Sequence, residues 1–219
     1  MHSIWQEKID FPDYPILKRD KKADVVYIGA TLQHAVEAHF QHEQGNAVML
    51  LEENVISRMP ELGGMGILRA GNRRERKSLR RLREYIEERQ IPCEMEVVSE
   101  TCLWVHPVKL FLFMTEGIEV YEQTAVCSRQ GKRLDIGSAY VDAAQIIEKE
   151  KRKEPFYVYV FPENSSGQMP EGEFEEMRRY KNFWLAGSAR RDVEGVSVLL
   201  GDLKMIDFHR EILYNWIMR

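Results

Sequence analysis

Gly29, Thr31 and His34 stand where a β-branched and aromatic run, Val25-Val26-Tyr27-Ile28, gives way to a helical stretch. Two acids, Glu52 and Glu53, end the next apolar run, and Glu52 lies 23 positions after Gly29. A strand that meets a glycine and opens at once into a helix aims backbone N–H groups at one point, which is chemistry for an anion. An acid about 20 residues further on, at the end of the following strand, can accept hydrogen bonds from sugar hydroxyls. The spacing Gly-x-Gly-x-x-Gly calls for glycines at 29, 31 and 34, and only the first is present.

The three glycines of such a turn have separate tasks: a tight bend, close backbone approach to a pyrophosphate, and close packing of helix on strand. Gly29 can still make the bend. Thr31 adds a small side chain where phosphates meet main chain, although its hydroxyl can donate. His34 places an imidazole at the packing position, and that predicts a helix N-terminus moved away from the phosphate. A buried strand and turn with no ligand fits the same residues, and a solvated strand end fits Glu52 and Glu53.

Other chemistry-bearing residues lack a partner pattern. His39 and His42 can share a helix face, but a metal site needs a further ligand and an open position. Cys93, Cys102 and Cys127 show no Cys-x-x-Cys spacing, which fits reduced thiols. No Gly-x-Ser-x-Gly or Cys–His arrangement supplies a hydrolytic mechanism. "RAGNRRERKSLRRLRE" holds eight basic residues between Arg69 and Arg83. Such a helix can touch phosphates, yet Glu84, Glu87 and Glu88 follow it, and helix ion pairs account for the pattern. Nucleic-acid contact through residues 73–90 is the least favoured reading.

The elements that must position these groups read as follows. Residues 1–22 form an irregular arm broken by Pro12 and Pro15. A strand at 24–28, a helix at 31–43 stopped by "QGN", and the strand "AVMLLEE" make one parallel β-α-β unit. A glycine-rich turn, "ELGGMG", precedes the basic helix, which Pro92 ends. "CEMEVVSET" is a strand, and "HPVKLFLFMTEG" is a helix opened by Pro107 and closed by Gly117. Residues 118–143 alternate in period two and predict a small antiparallel meander. "FYVYVF" and "FWLAG" are short strands, and residues 203–218 an amphipathic helix. Ile28, Leu50, Leu51, Val141 and Leu185 are expected to be buried in one parallel sheet.

The composition, 44% hydrophobic and 30% charged over 219 residues, is that of a globular chain with room for a real core. The net charge of −4 argues against general nucleic-acid binding. No apolar run is long enough for a membrane span. The first 15 residues have neither a basic nor an apolar leader region, so a cytoplasmic location is expected.

In order along the chain, "ADVVYIG", "VMLLEE", "ELGGMG", "HPVKLFLFMTEGIEVYEQTAV", "AYVDAAQ" and "YKNFWLAGSAR" resemble the motifs of FAD-dependent oxidoreductases of the glutathione-reductase-like class. The resemblance implies an α/β, Rossmann-like FAD/NAD(P)-binding fold: a parallel sheet with a crossover helix, a small β-meander and a C-terminal helix. It implies one such domain over residues 23–219, with the substrate domain absent or reduced to about residues 150–180. Gly29, Ala30, Thr31, Glu52, Gly63, Gly64 and Gly187 become the cofactor-binding candidates, with Glu52 on the adenosine ribose. Asp142 matches the family's "DATG" aspartate, but the Thr-Gly after it is missing. The implied cofactor is FAD, held weakly or lost, because the turn and the bulky segment "GDLKMIDFHREILYNW" both depart from the family. No catalytic base can be named. The alternative is a non-catalytic interaction subunit that docks a protein partner on the face the substrate domain would cover.

Overall fold

The computed structural model describes residues 5, 9–59, 62, 65–148, 156–162, 176–188 and 204–208. Strand β1 (Lys21–Ile28), helix α1 (Leu32–Glu43) and strand β2 (Val48–Leu51) form the expected parallel crossover, with Val25 opposite Val48 and Ile28 opposite Leu51. Thr31 starts the helix as its N-cap, its hydroxyl accepting the N–H of His34 at 3.0 Å. The helix ends where the N–H groups of Gln44 and Gly45 return to carbonyls of the last turn, and Gly45 takes φ +87°.

A 3-10 turn (Ile56–Arg58) leads to β3 (Ile67–Arg69) and the basic helix α2 (Arg73–Arg89). Asn72 and Glu75 close a reciprocal capping box at the start of α2. Leu79, Leu82 and Ile86 are buried on one face, while the cationic residues stay exposed on the other. β4 (Glu96–Ser99) and β5 (Cys102–Trp104) follow as a hairpin, completing a three-stranded antiparallel sheet ordered β3-β5-β4. Helix α3 (Pro107–Met114) has proline in its first turn, as its sequence demands.

The stretch after α3 differs from the predicted meander. β6 (Glu119–Tyr121) pairs parallel with β2, so it belongs to the central sheet. Only β7 (Ser128–Gln130) and β9 (Tyr140–Glu148) pair antiparallel, each with β8 (Arg133–Asp135) between them. β9 then pairs parallel with β1, which makes one six-stranded sheet ordered β6-β2-β1-β9-β8-β7. Period-two alternation marks a strand with one face unlike the other and does not report the direction of its neighbour.

A second, four-stranded antiparallel sheet is ordered β11-β12-β10-β13, from β10 (Phe156–Pro162), β11 (Glu176–Tyr180), β12 (Phe183–Ser188) and β13 (Lys204–Phe208). Two expectations change here. Leu185 is fully buried, but it lies in β12 of this sheet and not in the parallel one. Residues 204–208 are a strand paired with β10, where an amphipathic helix was expected; the rest of that predicted helix lies outside the described residues.

Alternate residues of the parallel strands enter different hydrophobic clusters. Val25, Tyr27, Val48 and Leu50 join residues of α1 and α3 on one face. Val26, Met49 and Leu51 join Leu17, Leu134 and Val141 on the other. A parallel sheet covered on both sides explains why β1 and β2 read as continuous apolar runs. Ile28, at the end of β1, is only half-buried.

Candidate functional site

The C-terminal ends of β1, β2 and β6 meet at one point, and the candidate turn lies there. Gly29 follows β1 with φ +93°, a conformation that disfavours any residue with a Cβ. Its N–H donates to the carbonyl of Leu51 at 2.7 Å. The next N–H, of Ala30, donates to Glu52 Oε2 at 2.9 Å. Glu52 Oε1 accepts the backbone N–H of Asn54 at 2.9 Å and its Nδ2 at 3.0 Å. The Glu52 main chain is fixed as well, its N–H on Tyr121 and its carbonyl under the N–H of Thr124. Only 4% of Glu52 is exposed. The acid expected to reach outward to a ribose therefore reaches back into the turn.

The imidazole of His34 is buried and lies between helix and strand, its ring centroid 5.1 Å from that of Tyr27. Nδ1 carries its proton toward the carbonyl of Gly29 at 2.6 Å. The third glycine position thus holds a ring that is accommodated by a specific hydrogen bond. Thr31, also buried, spends a lone pair on its own helix.

Gly29, Ala30, Thr31 and Glu52 are brought together. Gly63 and Gly64 lie outside the described residues, although Leu62 and Met65 beside them are buried. Gly187 sits inside β12, between Val158 of β10 and Glu176 of β11, in the second sheet. Asp142 is bound by Arg133 through two hydrogen bonds of 2.7 and 2.9 Å on the exposed side of β9.

Around Met65 and Gly66 lies a cluster that the sequence reading missed. Arg178 of β11 is 2% exposed, and its Nη1 donates to the carbonyls of Met65 and Val105 at 2.8 Å and of Gly66 at 3.3 Å. The guanidinium stacks among the rings of Trp5, Trp104 and Tyr180, 5.2 to 5.5 Å from their centroids. Burial pushes its pKa down to about 10, so it remains charged at neutral pH. Among the described residues its Nε has no hydrogen-bond partner. Trp5 is fully buried against Tyr180 and His106. At Gly66 a Cβ would collide with the Val105 carbonyl and press on Arg178, so the bare backbone in this turn serves the chain's own packing. Nothing in "RRY" marks which arginine turns inward; the only signal was a short strand mixing charge with an aromatic residue.

Among the described residues no group of His, Cys, Asp and Glu could hold a metal. His39 Nε2 bonds the Tyr85 hydroxyl at 2.7 Å, and burial lowers its pKa. Cys93 and Cys102 are buried free thiols, Cys127 an exposed one, and burial raises the Cys93 pKa to about 11. No described helix is long and apolar enough to cross a membrane.

The geometry fits a bound FAD only in part. The strand–turn–helix that would receive a pyrophosphate is present, but a carboxylate already holds the Ala30 N–H and brings negative charge to the turn.

No protein-family model and no curated protein matches the chain. Among solved structures, an FAD-dependent oxidoreductase from Pseudomonas aeruginosa aligns with a TM-score of 0.55 at 12% identity, covering 90% of this chain and 78% of that one. A glycine oxidase from Bacillus cereus aligns at TM-score 0.48 and 10% identity, covering 86% and 73%. An L-amino acid deaminase from Proteus vulgaris aligns at 0.45 and 12%, covering 81% of this chain but 63% of its own length. The likeness to the first of these is one of fold: the chain has a Rossmann-like α/β architecture of the kind seen in that FAD-dependent oxidoreductase.

Proposed function

We propose that this chain is an FAD-oxidoreductase-like protein whose dinucleotide scaffold is retained and whose flavin affinity is weak or lost. The observation that carries this reading is the hydrogen bond from the Ala30 N–H to Glu52. In a working dinucleotide site the turn N–H groups face pyrophosphate and the acid at the end of the second strand faces ribose. Here the two satisfy each other. An incoming pyrophosphate would meet a fixed carboxylate as well as the side chains at 31 and 34. The order of parallel strands and the fold shared with an FAD-dependent oxidoreductase support the scaffold half of the reading.

Purified protein titrated with FAD, followed by flavin fluorescence and absorbance, tests it. The expected result is a colourless protein that takes up flavin only at high concentration. A protein that purifies yellow with stoichiometric FAD would overturn it. The second reading is a non-catalytic interaction subunit, favoured by exposed charges of α2 such as Arg73, Arg74 and Lys77, which form no ion pair among the described residues.

A further inference from the structure

Most exposed charges of helix α2 run against its own dipole, although Arg89 stands in the last turn as the dipole favours. Acids stabilise a helix start and bases a helix end. Yet Arg73, Arg74, Arg76 and Lys77 crowd the first turns, and Glu84, Glu87 and Glu88 the last two. All seven are exposed. The only acid near the start, Glu75, is buried and used in the capping box. Arg80 and Arg83 have internal partners, Glu84 at 3.9 Å and Glu87 at 2.8 Å. Among the described residues, Arg73, Arg74, Arg76, Lys77 and Glu88 form no ion pair. In this layout helix ion pairs thus account for Arg80 and Arg83 but not for the cations of the first turns or for Glu88.

Its geometry does suggest an occupant. Arg73, Lys77, Arg80, Glu84 and Glu88 follow one another at three- and four-residue steps, so they form a single outward stripe, positive in one half and negative in the other. A stripe of that kind is complementary to itself when turned end over end. We propose that α2 is the contact of a weak, twofold-symmetric dimer in which two copies of the helix pack antiparallel. The twofold crosses the stripe between Arg80 and Glu84, at the axial level of Leu82. Lys77 of each copy then faces Glu88 of the other, and Arg80 faces Glu84. Arg73 comes to the carbonyl end of the opposing helix. The two helix dipoles also oppose, which favours the pairing. A twofold contact needs just this self-complementary patch.

Other occupants fit less well. Residues 69–89 hold nine Arg and Lys against four Glu, a net of +5, so the remaining chain carries −9 of the total −4. That excess repels a polyanion, and the Glu half of the stripe would face phosphates directly. The outer face exposes no apolar or aromatic side chain to enter a membrane or stack on bases. One helix face without an apolar centre gives a small interface, so the association is transient and salt-sensitive.

The test uses the full chain in sedimentation velocity at about 100 µM protein, in about 20 mM and about 300 mM salt, where screening differs severalfold. We expect reversible dimers at low salt that dissociate at high salt. The variant Lys77→Glu with Arg80→Glu leaves Arg73 as the stripe's only cation, and Glu84→Arg with Glu88→Arg makes the stripe wholly basic. Each alone should weaken self-association by about tenfold or more. Mixing the two should restore a dimer, because each supplies what the other lacks. Far-UV circular dichroism verifies that these exposed substitutions leave the fold intact. A wild type that stays monomeric at low salt overturns the proposal, as does a mixture that fails to associate. Retention of the wild type on duplex DNA without self-association overturns it too, and assigns the face to phosphate.

Discussion

The carboxylate of Glu52 and the amide of Ala30, 22 residues apart in the chain, are joined at 2.9 Å across the ends of two parallel strands. Together with Asn54 this places three N–H donors on one buried side chain. Removing the acceptor leaves those donors unsatisfied, which costs more than the net value of the bonds themselves. We expect Glu52→Ala to destabilise the protein by roughly 2–4 kcal/mol. Glu52→Gln should cost less, because one oxygen remains to accept. Urea unfolding of both variants measures this. A Glu52→Ala protein as stable as the wild type would mean that the carboxylate does not hold the turn.

The pairing of β1 with β2, and with them the location of Glu52, was legible in the sequence because a β-α-β crossover is local. Apolar runs at 25–28 and 48–51, a glycine and a capping threonine specify it within 30 residues. The inward turn of Glu52 was not legible. It depends on Asn54, two residues on, folding back beneath the carboxylate. The placement of Leu185 was missed for a different reason. "FWLAG" reads as a buried strand in either sheet, and only its pairing with β10 and β11 decides which. Arg178 is the extreme case. Its role comes from carbonyls about 70 to 110 positions earlier in the chain, which no local pattern announces.

Arg178 ties the second sheet to the end of the glycine-rich turn and to Val105. Its deletion would orphan the carbonyls of Met65 and Val105 and remove the cation that Trp5, Trp104 and Tyr180 surround. Arg178→Ala should therefore cost roughly 3–5 kcal/mol. Arg178→Lys keeps the charge but loses the planar stacking and the fork of donors. It should fall between the two. Thermal unfolding gives the order, and tryptophan fluorescence should shift to the red as Trp5 gains access to water. Unchanged melting of Arg178→Ala would show that the cluster is not a structural tie.

His106 caps α3, its Nδ1 accepting the N–H of Lys109 at 3.3 Å, and burial lowers its pKa to about 4. In the unfolded chain the imidazole titrates near 6.5, the ordinary value for histidine. The unfolded state thus binds more protons between those values. The stabilisation is fully present above about pH 6.5 and is lost as pH falls toward about 4. Going from about pH 7 to about pH 5 should cost about 2 kcal/mol from this group. His106→Asn keeps an acceptor for the cap without titrating, so its stability should change less over that interval. Urea unfolding at both pH values decides it. Equal pH slopes for the wild type and His106→Asn would remove the histidine from the account.

The turn itself can be tested by restoring its glycines. His34 fills the space between α1 and Tyr27 and holds the Gly29 carbonyl, whereas Thr31 adds a small side chain that caps the helix. Exchange of a capping threonine for glycine costs a few tenths of a kcal/mol, by the usual ranking of caps, so position 31 tolerates it. Glycine at 34 costs about 1 kcal/mol of helix propensity, plus the packing of the lost ring. Thr31→Gly with His34→Gly should bind FAD more tightly than the wild type, and His34→Gly alone should account for most of the gain. Flavin fluorescence titrations of the wild type, both single variants and the double variant supply the comparison. If Thr31→Gly gives the larger gain, direct crowding of the phosphate outweighs helix packing. If no variant gains affinity, the carboxylate of Glu52 on the Ala30 N–H is the barrier, and adding Glu52→Gln to the double variant should then lower it.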